Sequence, residues 1–427
     1  MDTIFALATA QGRAGVSVIR ISGPAAKTVA AGLCSSLPGG RQMATRVLRD
    51  VGGQPLDHAL ILVFDGPRSF TGEDVVELHL HGSVAVVSAV LRELGRTDAR
   101  MAEPGEFTRR ALENNKMDLA QVEGLGDLIE AETEAQRQQA LRTVSGAVGE
   151  RIELWRSLLI RAAALVEVTI DFADEDVPVD VTPEVQQLLK QVSDDIEDQL
   201  RGFSVAERIR TGFEVAIVGA PNAGKSTLLN ALARRDAAIT SEIAGTTRDV
   251  IEVRMDLNGL PVTLLDTAGL RQATDVIEAQ GIARAVSRAN DADLRIFLVE
   301  PGEELDVVER DGDVVRAPKA DTREDGLPSI SGTTGQGIDE LIGEVTNSLL
   351  HRAQLAGLAT HERHRMAMQR ALSDLASAST MVAAGPDRYD VAAEEIRVAI
   401  RSLEAVVGRV DVENLLDEIF SSFCLGK

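Results

Sequence analysis

Cysteine is almost missing from this chain: Cys34 and Cys424 are the only two in 427 residues, and they stand far apart. That scarcity excludes a disulfide framework and a four-cysteine zinc site, and it points to a reducing compartment. Aromatic residues make up 3%, too few for the stacking platforms on which single-stranded nucleic acids are held. Positive charge is also in deficit. There are 44 Lys and Arg against 67 Asp and Glu, a formal net charge of −23. Phosphate backbones are repelled on average, so promiscuous nucleic-acid binding is excluded, and any RNA contact requires a local basic patch or a basic partner. No run reaches the roughly 20 apolar residues that cross a bilayer. The opening MDTIFALATAQGRAG lacks the basic start and long apolar stretch of a secretory signal. The expectation is a cytoplasmic protein with no membrane attachment.

What is present is an ordinary globular composition, 44% hydrophobic and 26% charged. The length implies roughly two to four domains. Residues 1–118 mix short β-like runs (Val16-Ser17-Val18-Ile19-Arg20-Ile21, Ala59 to Phe64, Val75 to Leu80) with Gly and Pro punctuation, which predicts an α/β domain. Residues 119–211 turn helical: Leu119, Val122, Leu125 and Leu128 recur, then Ile152, Trp155, Leu158, Ala162 and Leu165. No proline interrupts the chain between Pro104 and Pro178, so long helices are permitted. A third texture, 212–348, begins with the continuous apolar run Phe213 to Val218, as in a buried parallel sheet. Helical spacing returns over 349–427, with Ile396, Ile400, Leu403 and Val407, then Leu416, Ile419 and Phe423. The simplest architecture is a multidomain α/β and all-α chain, with an α/β module inserted into one helical domain whose two halves pack together. Two unrelated helical domains are the alternative.

The run 213–218 leads into Gly219-Ala220-Pro221-Asn222-Ala223-Gly224-Lys225-Ser226-Thr227, and then into Leu228-Leu229-Asn230-Ala231-Leu232. This is a complete G-x-x-x-x-G-K-S phosphate loop between a strand and a helix. Its glycines let backbone N–H groups wrap phosphates, Lys225 neutralises β/γ oxygens, and the Ser226 hydroxyl is placed for Mg²⁺. Two switch elements follow in order, about twenty residues apart. Gly245-Thr246-Thr247-Arg248-Asp249 supplies hydroxyls that sense Mg²⁺ and γ-phosphate; Asp266-Thr267-Ala268-Gly269 supplies a metal-holding carboxylate and an N–H donor. The next residue, Leu270, cannot orient an attacking water, which leaves Arg248, Arg271 and Glu278 as the polar candidates; the plain alternative is that these are solvated surface charges.

These residues resemble the MnmE (TrmE) family of tRNA-modification GTPases over nearly the whole chain. Its marks stand here as Gly12-Arg13-Ala14-Gly15-Val16 with Ile19-Arg20-Ile21-Ser22-Gly23-Pro24, Ser69-Phe70-Thr71-Gly72-Glu73-Asp74, Pro104-Gly105-Glu106-Phe107-Thr108, Lys116-Met117-Asp118-Leu119-Ala120-Gln121, Asp171-Phe172, and the terminal Phe423-Cys424-Leu425-Gly426-Lys427. The resemblance implies a homodimer with an N-terminal tetrahydrofolate-binding and dimerisation domain, a helical domain, and an inserted Ras-like P-loop GTPase domain. It implies action with the FAD-dependent partner MnmG in a heterotetramer. Together they would add a carboxymethylaminomethyl-type group to C5 of the wobble uridine of certain tRNAs, from 5,10-methylenetetrahydrofolate or 5-formyltetrahydrofolate. Carried over by motif, GTP would be held by Asn222 to Thr227 (with Ala223 and Gly224), Ser241, Glu242, Ile243, Ala244, Gly245, Thr246, Thr247, Asp266 to Gly269 (with Thr267 and Ala268), Lys319, Asp321 and Ser331. Mg²⁺ would be bound by Ser226 and Thr247. K⁺, which favours pairing of the G domains, would be bound by Asn222, Ser241, Ile243 and Thr246, with Ser241 standing where the family usually has Thr. Lys225, Arg248 and Glu278 would be catalytic, Glu278 orienting the water. Folate would lie among Arg20, Glu77, Lys116 and Lys427. On chemistry alone Glu77 reads as an outward-facing strand residue and Cys424 as a buried terminal cysteine.

Two departures from the family pattern stand side by side. Val315-Arg316-Ala317-Pro318-Lys319-Ala320-Asp321 resembles the guanine-reading N-K-x-D loop with Pro in place of Asn, ahead of Ile330-Ser331-Gly332-Thr333-Thr334-Gly335. Asp321 offers an acceptor for guanine N1–H and the 2-amino group, and Lys319 can lie along the base plane. Pro318 has no side-chain amide to tie this loop to the phosphate loop, and its fixed φ restricts the bend. Only fifteen residues, largely acidic, separate Leu298 from Val314, where the family has a longer stretch with a helix. The expectation is a trimmed G domain with weaker and less selective nucleotide affinity. Two rival functions stay open: a regulatory GTPase whose first domain only dimerises, and a folate-dependent transfer protein with a nearly inactive G domain.

Overall fold

The structure is a computed structural model that describes residues 2–171, 180–235, 237–239, 252–266, 286–303, 305, 307–410, 416, 419, 420, 423 and 426. It forms two units, Met1–Gly126 with Glu404–Lys427, and Asp127–Leu403.

In the first unit, period-two alternation builds a six-stranded sheet. The strands are β1 (Ile4–Leu7), β2 (Val16–Ser22), β3 (Met43–Arg49), β4 (Pro55–Phe64), β5 (Val75–His81) and β6 (Arg100–Met101), in the order β3-β4-β5-β2-β1-β6. All pairings are antiparallel except β1–β6. Ile19, Ile21, Ile61, Val76, Leu78 and Leu80 point into one core, which the helices Ala26–Leu33 and Val84–Leu94 complete with Val29, Leu33, Val90 and Leu94. Successive strand residues face opposite sides, so Arg20 of β2 and Glu77 of β5 leave the core on the other face, directly opposite each other in the register.

In the second unit a sheet of β7 (Phe213–Gly219), β8 (Glu252–Leu257), β9 (Leu260–Asp266), β10 (Leu294–Leu298), β11 (Val314–Pro318) and β12 (Ser329–Ile330) has the order β12-β11-β10-β7-β9-β8. It is parallel apart from the β8–β9 hairpin. After Glu214, β7 is apolar because both of its faces are covered: Val215 and Ile217 meet Leu228, Leu264 and Leu341 on one side, and Ala216 and Val218 meet Ala289, Phe297 and Val307 on the other. The hairpin turns on Asn258 and Gly259, with φ of 55° and 88°, the doubly positive turn that Asn-Gly favours.

The connection from β10 to β11 departs from the usual helical crossover between parallel neighbours: none of its described residues is helical. Val307 drops into the core in place of a helix. The far end is held by a buried ion pair, Arg295 Nε to Asp313 Oδ2 at 2.9 Å, with the Arg310 N–H also donating to Asp313.

Helices that precede and follow this sheet in sequence pack together. Gln186 of Thr182–Arg201 donates to the Ser379 carbonyl of Glu362–Ala383 at 2.7 Å, and the hydroxyls of Thr182 and Tyr389 are 2.7 Å apart. The helix Ala147–Asp171 buries Ile152, Trp155, Leu159, Ala162 and Val166. Leu158 and Leu165, expected in that stripe, are half-buried instead: a 3.6-residue step from Trp155 or Ala162 falls between two neighbours, and packing takes Leu159 and Val166. Among the described residues no helix is long and apolar enough to cross a membrane.

Candidate functional site

The phosphate loop is shaped by its glycines. A Cβ at Gly219 would stand 2.5 Å from the Leu298 carbonyl of β10, so the strand end can pass that close to its neighbour only without a side chain. Gly224 takes φ +90° at the start of the helix Lys225–Ala233, a conformation that disfavours any Cβ. Asn222 is also left-handed, at φ 65°. The loop thereby wraps the N-terminus of a helix whose first N–H groups have no intrahelical partner, the arrangement that attracts phosphate.

Lys225 is 5% exposed, and its ammonium donates to the carbonyls of Gly219 and Ala220 at 2.7 and 2.8 Å. Burial pulls its pKa down, against the opposing fields of Asp266 and Glu303. Ser226 Oγ donates to Asp266 Oδ2 at 2.8 Å. β9 ends on that aspartate beside β7, so parallel pairing delivers a carboxylate and a hydroxyl to one point. Two hard oxygen donors this close suit Mg²⁺.

The base-side loop is built from the next strand ends. Pro318 closes β11 opposite Ile330 of β12. Lys319 takes φ 59° and opens a single tight turn, Ala320–Thr322. The neighbouring Ser331 hydroxyl holds the Asp321 carboxyl below the ordinary aspartate value. Ser331 itself is buried. Beside it, a Cβ at Gly332 would lie 2.7 Å from Leu228 N and from Thr227 C. The Ser331-Gly332 loop therefore seats against the first turn of the phosphate-loop helix, and Asp321, Ser331 and Thr227 gather on one edge. Ser241 to Arg248, Thr267, Ala268, Gly269, Arg271 and Glu278 lie outside the described residues.

On the other face of the first unit's sheet, Arg20 Nε donates to Glu77 Oε1 at 3.0 Å, and His79 lies 3.2 Å from Glu77 Oε2. The Arg20 guanidinium sits 5.3 Å from the Phe70 ring centroid and 5.7 Å from that of Phe107, within cation–π range. The motif residues around the pair act as supports. Ser22 Oγ donates to Glu73 Oε2 at 2.7 Å, Arg110 reaches Glu73 at 3.1 Å and Glu106 at 2.9 Å, and Gly72 turns at φ +79° against Asn114 and the Lys116 side chain. Glu77, which on chemistry alone reads as an outward-facing strand residue, faces away from the main core, is 16% exposed in its side chain and is paired. Phe70 stands in one of the family's marks but carried no site role there, and His79 was not singled out, although the alternation of β5 puts it on Glu77's face. Lys427 and Cys424 lie outside the described residues.

Residues 3–116 match the family described as the GTP-binding protein TrmE N-terminus, and residues 119–424 match the MnmE helical domain. The chain is 65% identical to the tRNA modification GTPase MnmE of Roseobacter denitrificans over 428 residues, covering 100% of both chains. It is 60% identical to that of Ruegeria pomeroyi, again over 100% of each, and 49% identical to that of Paracoccus denitrificans, with the same full coverage. Among solved structures, an Era variant from Aquifex aeolicus bound to GDP and AlF4⁻ is 27% identical, covering 32% of this chain and 56% of that one at a TM-score of 0.26.

Proposed function

The chain belongs to the MnmE family of tRNA-modification GTPases, and we propose that it hydrolyses GTP to gate the modification of the wobble uridine of tRNA at C5. The observation that carries the hydrolytic part is the Ser226–Asp266 pair at 2.8 Å beside the buried Lys225. A neutral hydroxyl and a carboxylate converge there with an ammonium, on a helix N-terminus.

In this reading Lys225 and the loop N–H groups neutralise the β- and γ-oxygens, and Ser226, with Thr247, holds Mg²⁺. Bound Mg²⁺ supplies positive charge across those oxygens. Asp321 reads the guanine N1–H and 2-amino group, Ser331 aims it, and Lys319 lies along the base. Asn222, Ser241, Ile243 and Thr246 hold K⁺, whose charge takes the place of an arginine finger. Glu278 orients the water, since Leu270 cannot, and Arg248 supports the switch.

In the first unit the Glu77 carboxylate flanked by Arg20 has the groups to read a pterin, and Lys116, which lies against the Gly72 turn, would meet its anionic tail. A bound tetrahydrofolate supplies the one-carbon unit. The division into a folate-binding and dimerisation domain (1–118), a helical domain in two halves (119–211 and 349–427) and an inserted G domain (212–348) belongs to the same proposal. So do a homodimer acting with the FAD-dependent partner MnmG, and a cytoplasmic location. The net charge of −23 supports a partner that supplies most of the tRNA affinity.

The test is GTP turnover in K⁺ against Na⁺ buffer, together with mass spectrometry of wobble uridines in cells carrying Lys225→Ala. Faster turnover in K⁺ and loss of the modified uridine are expected. Hydrolysis in neither buffer, or normal modification in the variant, would overturn the proposal.

A further inference from the structure

Proline at 318 has neither a side-chain amide nor an N–H, so position 318 itself cannot fasten the base-side loop to the phosphate loop. A different fastening stands beside it. Arg323 follows the turn Ala320–Thr322, and its side chain is 14% exposed. Its guanidinium reaches three segments. Nη1 donates to Glu300 Oε2 at 2.7 Å and to the Pro318 carbonyl at 3.4 Å, and the other nitrogens grip the Asp325 carboxylate. A planar fork with several donors in fixed directions suits such a three-way junction, where an ammonium would not.

Glu300 lies two residues past the end of β10, the strand that pairs with β7 and so flanks the phosphate loop. Its own backbone is locked by Glu303: the Glu300 N–H donates to Glu303 Oε2 and the Glu303 N–H donates to the Glu300 carbonyl, both at 3.0 Å. That closed turn lies near enough to the phosphate loop for Glu303 to act on Lys225. An isolated exposed ion pair contributes little. This one is a junction that joins the end of β11, the shortened acidic connection and the loop after Asp321, so its loss removes side-chain contacts to all three at once.

We propose that Arg323 and Glu300 form a substitute tether that positions the base-side loop beside the phosphate loop and sets this chain's affinity for guanine nucleotides. Glu300 is placed for this by the end of β10 and by its closed turn with Glu303. The proposal rests on the reading of Pro318 to Asp321 as the guanine loop.

The test uses the full-length protein with Mg²⁺, titrated with GDP, ADP, xanthosine diphosphate and inorganic tripolyphosphate. Arg323→Ala and Glu300→Ala are each expected to weaken GDP binding about tenfold. The double variant should lose no more than either alone, as expected of partners in one interaction. Tripolyphosphate binding should stay within about twofold of the parent, which a general loss of folding or of the phosphate cradle would not allow. In a Pro318→Asn background, which restores an amide, the Arg323→Ala loss should shrink. A GDP change below about twofold, additive losses in the double variant, equal losses of GDP and tripolyphosphate, or an undiminished loss in the Pro318→Asn background each overturn the tether. A parent that binds ADP or xanthosine diphosphate as well as GDP overturns the guanine-loop reading, and the tether with it.

Discussion

The backbone N–H of Ala135 donates to the carbonyl of Gly259 at 2.9 Å, so the hairpin turn of the nucleotide-binding sheet satisfies a donor in the first turn of the helix Glu134–Val144. Two further contacts secure this joint: Arg254 with Glu132 at 3.1 Å, and Gln136 Nε2 to the Arg210 carbonyl at 2.9 Å. The hairpin strands lie in sequence between the two presumed switch segments, so this turn ties the sheet next to the switches to the helical layer. The turn depends on Gly259 at φ +88°. Gly259→Ala should cost about 1–2 kcal/mol from the left-handed backbone, since the added Cβ meets Glu134 Cβ only at an ordinary 3.4 Å. Chemical denaturation followed by circular dichroism reads it; an unchanged midpoint would show that the turn relaxes freely.

Asp321→Asn exchanges an acceptor for an amide. Guanine presents donors at N1 and at the 2-amino group, whereas xanthine carries a carbonyl at C2 that an amide can satisfy. The variant should bind GDP about 10- to 100-fold more weakly, the range for losing hydrogen bonds to a charged group, and should gain affinity for xanthosine diphosphate. Equal weakening toward both would argue that Asp321 does not face the base. Ser331→Ala, which removes the hydroxyl that holds the Asp321 pKa down, should show a smaller loss in the same direction.

Ser226→Ala deletes the donor to Asp266 Oδ2 at 2.8 Å and one of the two proposed Mg²⁺ ligands. Turnover should fall about 100-fold, as for removal of one well-placed electrostatic group, and half-maximal activity should require more Mg²⁺. A fall in turnover with an unchanged Mg²⁺ requirement would place the metal elsewhere. Ser226→Thr, which keeps the hydroxyl, should retain most activity.

The Arg295–Asp313 pair is nearly sealed, with side-chain exposures of 3% and 1%. Removing one partner strands a buried charge, so Asp313→Ala should destabilise the sheet by about 3–5 kcal/mol. Arg295→Met combined with Asp313→Leu should recover much of that loss, because neither charge then remains buried. Denaturant midpoints of the single and double variants decide this. A single-variant loss under about 1 kcal/mol would mean that water reaches the pair.

In the first unit, burial alone would raise the Glu106 pKa, but hydrogen bonds from Arg100, the Glu103 N–H and Arg110 outweigh it and leave the carboxyl below its ordinary 4.5. A depressed folded-state value means that the stabilisation is present above the unfolded carboxylate value and is lost as pH falls through the lower folded one. Glu106→Gln should therefore destabilise by about 1–3 kcal/mol near neutrality, with the difference from the parent shrinking below about pH 4. Thermal melts across pH 3 to 7 test the sign. A gap that widens toward acid would reverse the assignment.

Much of the architecture is legible in residue order because it rests on local rules. The loop Gly219 to Thr227 must sit between an apolar strand and a helix, and Asn258-Gly259 must turn. Helix phase was less legible. Leu158 and Leu159 are both apolar neighbours, and only the packing partners of Ala147–Asp171 choose Leu159 for the interior. The resemblance put Arg20 and Glu77 in one site, but spacing alone did not show that they pair: the residues are far apart in sequence, and only antiparallel register sets them face to face. Arg323, Glu300 and Glu303 gave no signal at all, since charged residues in an acidic connection look like solvated surface.

By itself the amino-acid sequence determined the family, the presence of a phosphate cradle and the missing amide at position 318, because these depend on which side chains exist and on backbone conformations that single residues permit. Tertiary structure alone decided how the loss at 318 is met, bringing Arg323 to Glu300 and the Pro318 carbonyl. Strand order and register, not adjacency in the chain, determine which charges come within hydrogen-bonding distance.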